Sequence, residues 1–252
     1  LRRQRQMCIR DSLNTTQKFR DSTSWFHLVC ALDTDESTAD NRMRMYINGT
    51  EITSFGSRTN PSSGYATNAM NNNTLHTLGY RTSGQGSAGM QYDGYMAEIN
   101  FVDGLQLDAS YFGYTDFQTG QWRSKKFDGT YGTNGFYLKF ADNSGTSSTT
   151  IGKDSSGNGN NWTPVNFSVA SDFMTDIVTD SPSNNFCVLN YNGGSGNKVR
   201  DGGLSAQDAG TNGWRHTYGT FPLTRGKWYW EYRFSGSVDG SNGIFMGLAH
   251  AD

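Results

Sequence analysis

Two alternating apolar strands joined by a polar loop constrain this chain more than anything else in it. They run from Ser24 to Gly49. Trp25 to Asp33 reads as one strand, a polar loop carries through Asp40, and Asn41 to Gly49 reads as the return strand. In the return strand Met43, Met45 and Ile47 share one face, and Arg42, Arg44, Tyr46 and Asn48 share the other. Period-two alternation of this kind marks a strand with one face in a core. The outgoing strand places Phe26, Leu28, Cys30 and Leu32 together, which predicts that this is its core face. Its opposite face, with Trp25, His27, Val29 and Ala31, is also largely apolar, so both sides are candidates for cover. Asn48-Gly49 supplies the positive φ of a tight turn, and Glu51 to Phe55 is the expected short strand leaving it.

Composition agrees with an all-β chain. Thirty-one glycines and only four prolines in 252 residues suit many tight turns, and 13% aromatic residues carry a large area to bury. Charged residues are 17%, too few for disorder through charge. The net charge of −2 and the absence of a basic stripe argue against nucleic acid as a partner. No apolar run reaches the length of a membrane span, and no signal-peptide pattern is seen, so membrane insertion is not expected.

Alternation returns at Tyr92 to Gly104, with Tyr95, Ala97, Ile99 and Phe101 on one face and Met96, Glu98, Asn100 and Val102 on the other. Asp108 is placed to cap a short helix over Leu107 to Phe112. Gln118 to Asp128 reads as a connector whose basic cluster, Arg123 to Lys126, is a solvated turn. Tyr131 to Phe140 reads as a further strand. Gly226 to Phe234 alternates too, with Trp228, Trp230, Tyr232 and Phe234 on one face, read as core, and Gly243 to Ala249 reads as a buried strand.

The Trp25-Phe26-His27-Leu28 strand and the Met45-Tyr46-Ile47-Asn48-Gly49 strand resemble those of concanavalin-A-like and laminin-G-like lectin sandwiches. Leu78-Gly79 and the Tyr92 to Gly104 strand fit the same pattern. Gly226-Lys227-Trp228-Tyr229-Trp230-Glu231 followed by Gly243 to Ala249 resembles the start of a SPRY domain. The resemblance implies an all-β fold. It consists of a jelly-roll (concanavalin-A-like) sandwich, N-terminally truncated, followed by a partial, SPRY-like second β-sandwich. The domains expected are a sandwich with its extension over 13–170, a linker over 171–184 and the SPRY-like part over 185–252. Residues 1–12 hold four arginines and one aspartate and suit neither strand nor turn. Met7 to Ser12 resembles a translated sequencing adaptor, and without residues 1–12 the net charge would fall from −2 to −5.

The order of these parts, with Tyr131 to Phe140 and Asp154 to Trp162 between them, resembles surface proteins encoded by marine phages. It implies a non-enzymatic module of a virion or tail fibre that binds a host-surface glycan or protein, sits beside other virion proteins and is displayed on the virion surface or outside cells. A homo-oligomer in the full-length protein would suit that role. One rival is a purely structural fibre module. A weaker rival is a glycoside hydrolase whose catalytic half is missing.

The candidate chemistry is sparse. Sugar recognition in a sandwich needs an aromatic face and planar amide or carboxylate groups. Tyr80, Arg81, Gln91, Tyr92 and Asp93, with Asn71 to Asn73 beside them, offer such groups. Endo-glucanases of this fold carry a strand close to Glu-x-Asp-x-x-Glu, since one carboxylate protonates the leaving oxygen and the other attacks or activates water. Here Glu98 is followed by Asn100 and Asp103, so the middle carboxylate is an amide; no catalytic residues are assigned, and Glu98 reads as a solvated or hydrogen-bonded structural residue. In Ile151 to Trp162, Asp154, Asn158 and Asn160 form the one calcium-type loop, and no other cofactor is expected. The competing reading is a tight turn in which Asp154 caps backbone N–H groups. Asn161-Trp162-Thr163 and Asn166-Phe167-Ser168 match the glycosylation acceptor pattern and are read as chance matches. Cys8, Cys30 and Cys187 have no metal-ligand spacing and read as small buried hydrophobes.

Overall fold

The structure is a computed structural model. It describes residues 11–19, 24–66, 75–80, 92, 94–169, 176–178, 180–189, 197–200, 203–208, 216–221, 223, 225–234 and 247. The described chain is all-β. Its strands pair antiparallel in several small sheets, and the only helical pieces among the described residues are short 3-10 turns. The chain divides into two compact units, Leu1–Thr220 and Phe221–Asp252.

In the first unit the central hairpin forms as a three-stranded sheet of β2 (Leu28–Leu32), β3 (Met43–Ile47) and β4 (Thr50–Glu51), with β1 (Ser12–Thr15) elsewhere in the unit. The β2–β3 register runs from Leu28↔Ile47 to Leu32↔Met43. Asn48 at φ 47° and Gly49 at φ 81° make the two-residue turn into β4, where Ile47 pairs Thr50. The chain then enters β5 (Phe55–Thr59), which pairs with β1 across a one-residue slip between Asn14 and Thr15. Ser12, the last residue of the adaptor-like segment, pairs Thr59 there; residues 1–10 lie outside the described residues.

The aromatic core packs on the Val29, Ala31 and Tyr46 face of the hairpin, while the face expected as core is only partly covered, with Ile47 buried and Met43, Met45 and Leu32 half-buried. Register keeps Leu28, Cys30 and Leu32 beside Ile47, Met45 and Met43, as the alternation requires. Yet Leu28, Cys30 and Phe26 are exposed, while Val29, Ala31 and Tyr46 are buried. The reason is the partner layer. Phe112, Phe127, Tyr131 and Tyr137 supply large rings, and the small Val29 and Ala31 side chains leave room for them. Phe112 and Phe127 lie 5.1 Å apart, Phe127 meets Tyr131 edge-on at 5.1 Å, and Tyr131 stacks on Tyr137 at 6.2 Å. Cys30 and Cys187 are exposed free thiols rather than buried hydrophobes.

Around this core, β6 (Ile99–Phe101) pairs with β9 (Phe136–Leu138), and β7 (Gly113–Thr115) pairs with β8 (Trp122–Ser124). The basic cluster therefore starts in a strand, not a turn, and Arg123 bridges Asp116 at 3.1 Å. Asp108 caps a 3-10 turn, Ala109–Tyr111, and accepts from Ser110 N at 2.8 Å. Farther on, Asp180 is buried and accepts from Trp25 Nε1 at 3.0 Å and from Phe186 N at 3.2 Å, so part of the expected linker is held against the chain leading into β2. The unit also contains the hairpin of β10 (Asn197–Arg200) and β11 (Ser205–Asp208).

In the second unit the described residues 225–234 form no strand, and Trp228, Trp230, Tyr232 and Phe234 are all exposed. This corrects their reading as core. An aromatic stripe is buried only where a second layer covers it, and none does so among the described residues. Gly243 to Met246, Leu248 and Ala249 lie outside them.

Trp122 locks the hairpin to β7. A Cβ on Gly49 would sit 2.3 Å from the Trp122 ring, and one on Gly113 would sit 2.4 Å from it. Between these two glycines the indole Nε1 donates to His27 Nδ1 at 3.1 Å. Burial holds the His27 imidazole below its ordinary pKa, and protonating Nδ1 removes the acceptor that Trp122 uses. A histidine depressed in the folded state binds fewer protons than in the unfolded chain. Its contribution is therefore complete above the unfolded value of about 6.5 and is lost as pH falls below it. The melting temperature is expected to drop between pH 7.5 and pH 5, and the drop is expected to shrink in His27→Asn. Thermal melts at four pH values check this; an unchanged slope in the variant overturns it.

Candidate functional site

Two tyrosine segments meet where the sugar site was expected. Tyr92 N donates to Gly79 O at 2.8 Å, which joins the chain at Tyr80 to the approach of β6. Tyr80 and Tyr92 are both exposed, at 45% and 52%. The Tyr92 hydroxyl donates to Tyr95 O at 3.3 Å, and the ring folds over Gly94, where a Cβ would meet it at about 3 Å. Arg81, Gln91, Asp93 and the asparagines Asn71 to Asn73 lie outside the described residues.

Tyr92 lines a cleft of about 1860 Å³ that runs along the first unit. Tyr80 is not among its lining residues. Phe26, Tyr92 and Tyr95 bring exposed aromatic faces to it, and Glu98, Asn100, Asp103 and Asn134 bring carboxylates and amides. Aromatic and planar polar groups thus share one groove.

The Glu98-to-Asp103 stretch is arranged around the core rather than as a carboxylate pair. Asn100 and Val102 turn toward the core, and the exposed Glu98, just before β6, meets a core tyrosine at its edge. The Tyr137 hydroxyl donates to Glu98 Oε2, the Tyr131 hydroxyl donates to Asn100 Oδ1 at 2.7 Å, and Val102 packs on the aromatic cluster. Burial, followed by the Asp154 and Glu98 carboxylates, pushes the Tyr131 phenol up to about 12. Burial and the bond to Glu98 raise Tyr137 as well. Both phenols therefore stay protonated donors at neutral pH. Asp103 serves another turn: its Oδ2 accepts from Asn134 N at 3.1 Å and from Asn134 Nδ2 at 2.9 Å. Glu98 itself sits at φ 54°, outside the usual range for a non-glycine residue. Alternation grouped it with Asn100 and Val102, but Glu98 stands outside β6, and nothing in the sequence flagged its backbone or its tyrosine partner.

The Asp154 loop is a knot of internal bonds. Asp154 Oδ1 accepts from Tyr137 N and Ser156 N, both at 2.8 Å. Its Oδ2 accepts from Ser156 Oγ at 2.8 Å and from Asn160 N at 2.9 Å. Asn158 and Asn160 point their Nδ2 groups at the carbonyls of Gly132, Thr133 and Gly135. This is the arrangement the turn reading predicts, with Asp154 spent on N–H and O–H donors. No group of three or more metal-type side chains occurs among the described residues.

No family model, no curated protein and no solved structure matches this chain.

Proposed function

We propose that the first unit is a non-enzymatic carbohydrate-binding sandwich of the concanavalin-A-like type, displayed on a phage virion or tail fibre. The observation that carries the reading is the cleft, where exposed aromatic faces stand beside carboxylates and amides. Sugars stack on the first and hydrogen-bond to the second. At about 1860 Å³ the groove exceeds the roughly 300–1,000 Å³ usual for a small-ligand pocket, which suits a length of polymer. The sequence resemblance supplies the virion setting and the glycan or protein of a host surface as partner. A SPRY-like role for the second unit belongs to the same proposal.

The arrangement of the Glu98-to-Asp103 stretch supports binding without hydrolysis. Asn100 is an amide held by Tyr131, and Asp103 is held by Asn134, so Glu98 lacks a second acid from this strand. A single open site of this kind is expected to bind at about micromolar to millimolar Kd, or −4 to −8 kcal/mol. Copies on a fibre would raise the overall binding by avidity.

The test is retention of the protein by insoluble β-glucan, galactan and alginate, with reducing ends measured in the supernatant. Tyr92→Ala is expected to lose about tenfold or more in affinity, and Tyr80→Ala less, because only Tyr92 lines the cleft. Equal retention of the parent and Tyr92→Ala would remove this site, and release of reducing ends would make the protein a hydrolase.

A further inference from the structure

We propose that Glu98 is the ligand-recognising acceptor of the cleft, selecting neutral polysaccharide, and that Tyr137 is its positioning residue. The inference rests on the carbohydrate reading of the same cleft. Three observations carry it. First, Glu98 is held at φ 54°, a conformation that costs an L-residue energy and persists where the surroundings over-determine it. The bracing is visible: Asn100 Nδ2 donates to Glu98 O at 3.1 Å, and Tyr131 holds that amide by its Oδ1.

Second, Glu98 is an exposed residue while its donor is buried. Tyr137 is only 5% exposed, yet its hydroxyl reaches out to Glu98 Oε2. Here Glu98 lines the cleft, and no described residue bonds its Oε1. Third, Tyr92 and Tyr95 line the same cleft as Glu98, with the Tyr92 hydroxyl donating to the Tyr95 carbonyl, so aromatic side chains and the acceptor open onto one groove. A fixed carboxylate accepts from adjacent sugar hydroxyls and repels a uronate or sulfate. That is the chemistry of a neutral polymer.

The experiment compares parent, Glu98→Gln and Tyr137→Phe on insoluble β-glucan, galactan and alginate. The parent is expected to favour a neutral polymer over alginate. Glu98→Gln, which keeps an oxygen for Tyr137, is expected to lose at least tenfold on the neutral polymer and to narrow the preference. Tyr137→Phe is expected to lose threefold to tenfold, with the neutral preference kept. Glu98→Gln binding like the parent overturns this assignment and leaves the carbohydrate reading intact. No retention of the parent on any polymer overturns both. A second readout needs no ligand: in the Tyr137→Phe background, Glu98→Gly relieves the backbone and is expected to raise the melting temperature. A fall there makes Glu98 a structural residue and overturns the proposal.

Discussion

Gly135→Ala is expected to destabilise the first unit by about 3 kcal/mol or more, enough to leave much of the chain unfolded at 37 °C. An added Cβ would lie 1.9 Å from Tyr131 O and 2.8 Å from Phe101 O. Both neighbours are backbone, so no flexible side chain can swing away. The strand would have to move, and three things move with it. Tyr131 anchors the aromatic stack and Phe101 belongs to β6. The Gly135 carbonyl receives Asn158 Nδ2 at 2.8 Å and Asn160 Nδ2 at 2.9 Å, so the Asp154 knot loosens as well. Gly157→Ala is the control. Its φ is 99° but nothing lies within 4 Å, so only the backbone cost of about 1–2 kcal/mol applies. Urea unfolding followed by tryptophan fluorescence measures both. Equal effects in the two variants would mean that the close approach at Gly135 is not what the fold depends on.

Contacts of this kind explain what the sequence could and could not reveal. The β2–β3 hairpin was legible because its signals are local: alternation on both arms and Asn48-Gly49 at the turn. Its core face was not legible. Both faces of β2 are apolar, and the choice is made by Phe112, Phe127 and Tyr131, some eighty to a hundred residues away in the chain. The aromatic stripe of Trp228 to Phe234 shows the same limit, since periodicity says which side chains share a face and not whether anything covers it. Of the residues that the sequence offers for a sugar site, Tyr92 lines the cleft, and its residue type and loop are what single it out. From sequence Glu98 reads as a solvated or hydrogen-bonded structural residue rather than a catalytic acid, and it does accept a hydrogen bond from Tyr137; its left-handed backbone and the identity of that buried phenol, some forty residues on, leave no local trace.

The Asp154 knot makes the other large prediction. Asp154→Ala leaves the N–H groups of Tyr137, Ser156 and Asn160 and the Ser156 hydroxyl without their acceptor, next to the fully buried Leu138. Each stranded buried donor costs about 1–3 kcal/mol, and after partial rehydration the loss is expected to reach about 3–4 kcal/mol. Asp154→Asn keeps one acceptor oxygen and turns an NH₂ toward donors, so about 2–3 kcal/mol is expected. The pH dependence follows from the same bonds. Burial alone would raise the Asp154 carboxyl, but the four donors outweigh it and hold the group below its ordinary value. A depressed carboxylate releases its proton more readily folded than unfolded. Its stabilisation is therefore complete above the unfolded value of about 3.9 and disappears as pH falls through the folded one. Acid titration of stability from pH 6 to pH 2 should be steeper in the parent than in Asp154→Asn. The calcium reading predicts something different. A cation needs the oxygens that the N–H and O–H groups now occupy, so millimolar calcium is expected to leave the melting temperature unchanged. A rise with calcium, lost in Asp154→Asn, would mean the loop reorganises to bind metal and that the donors seen here are only its metal-free arrangement.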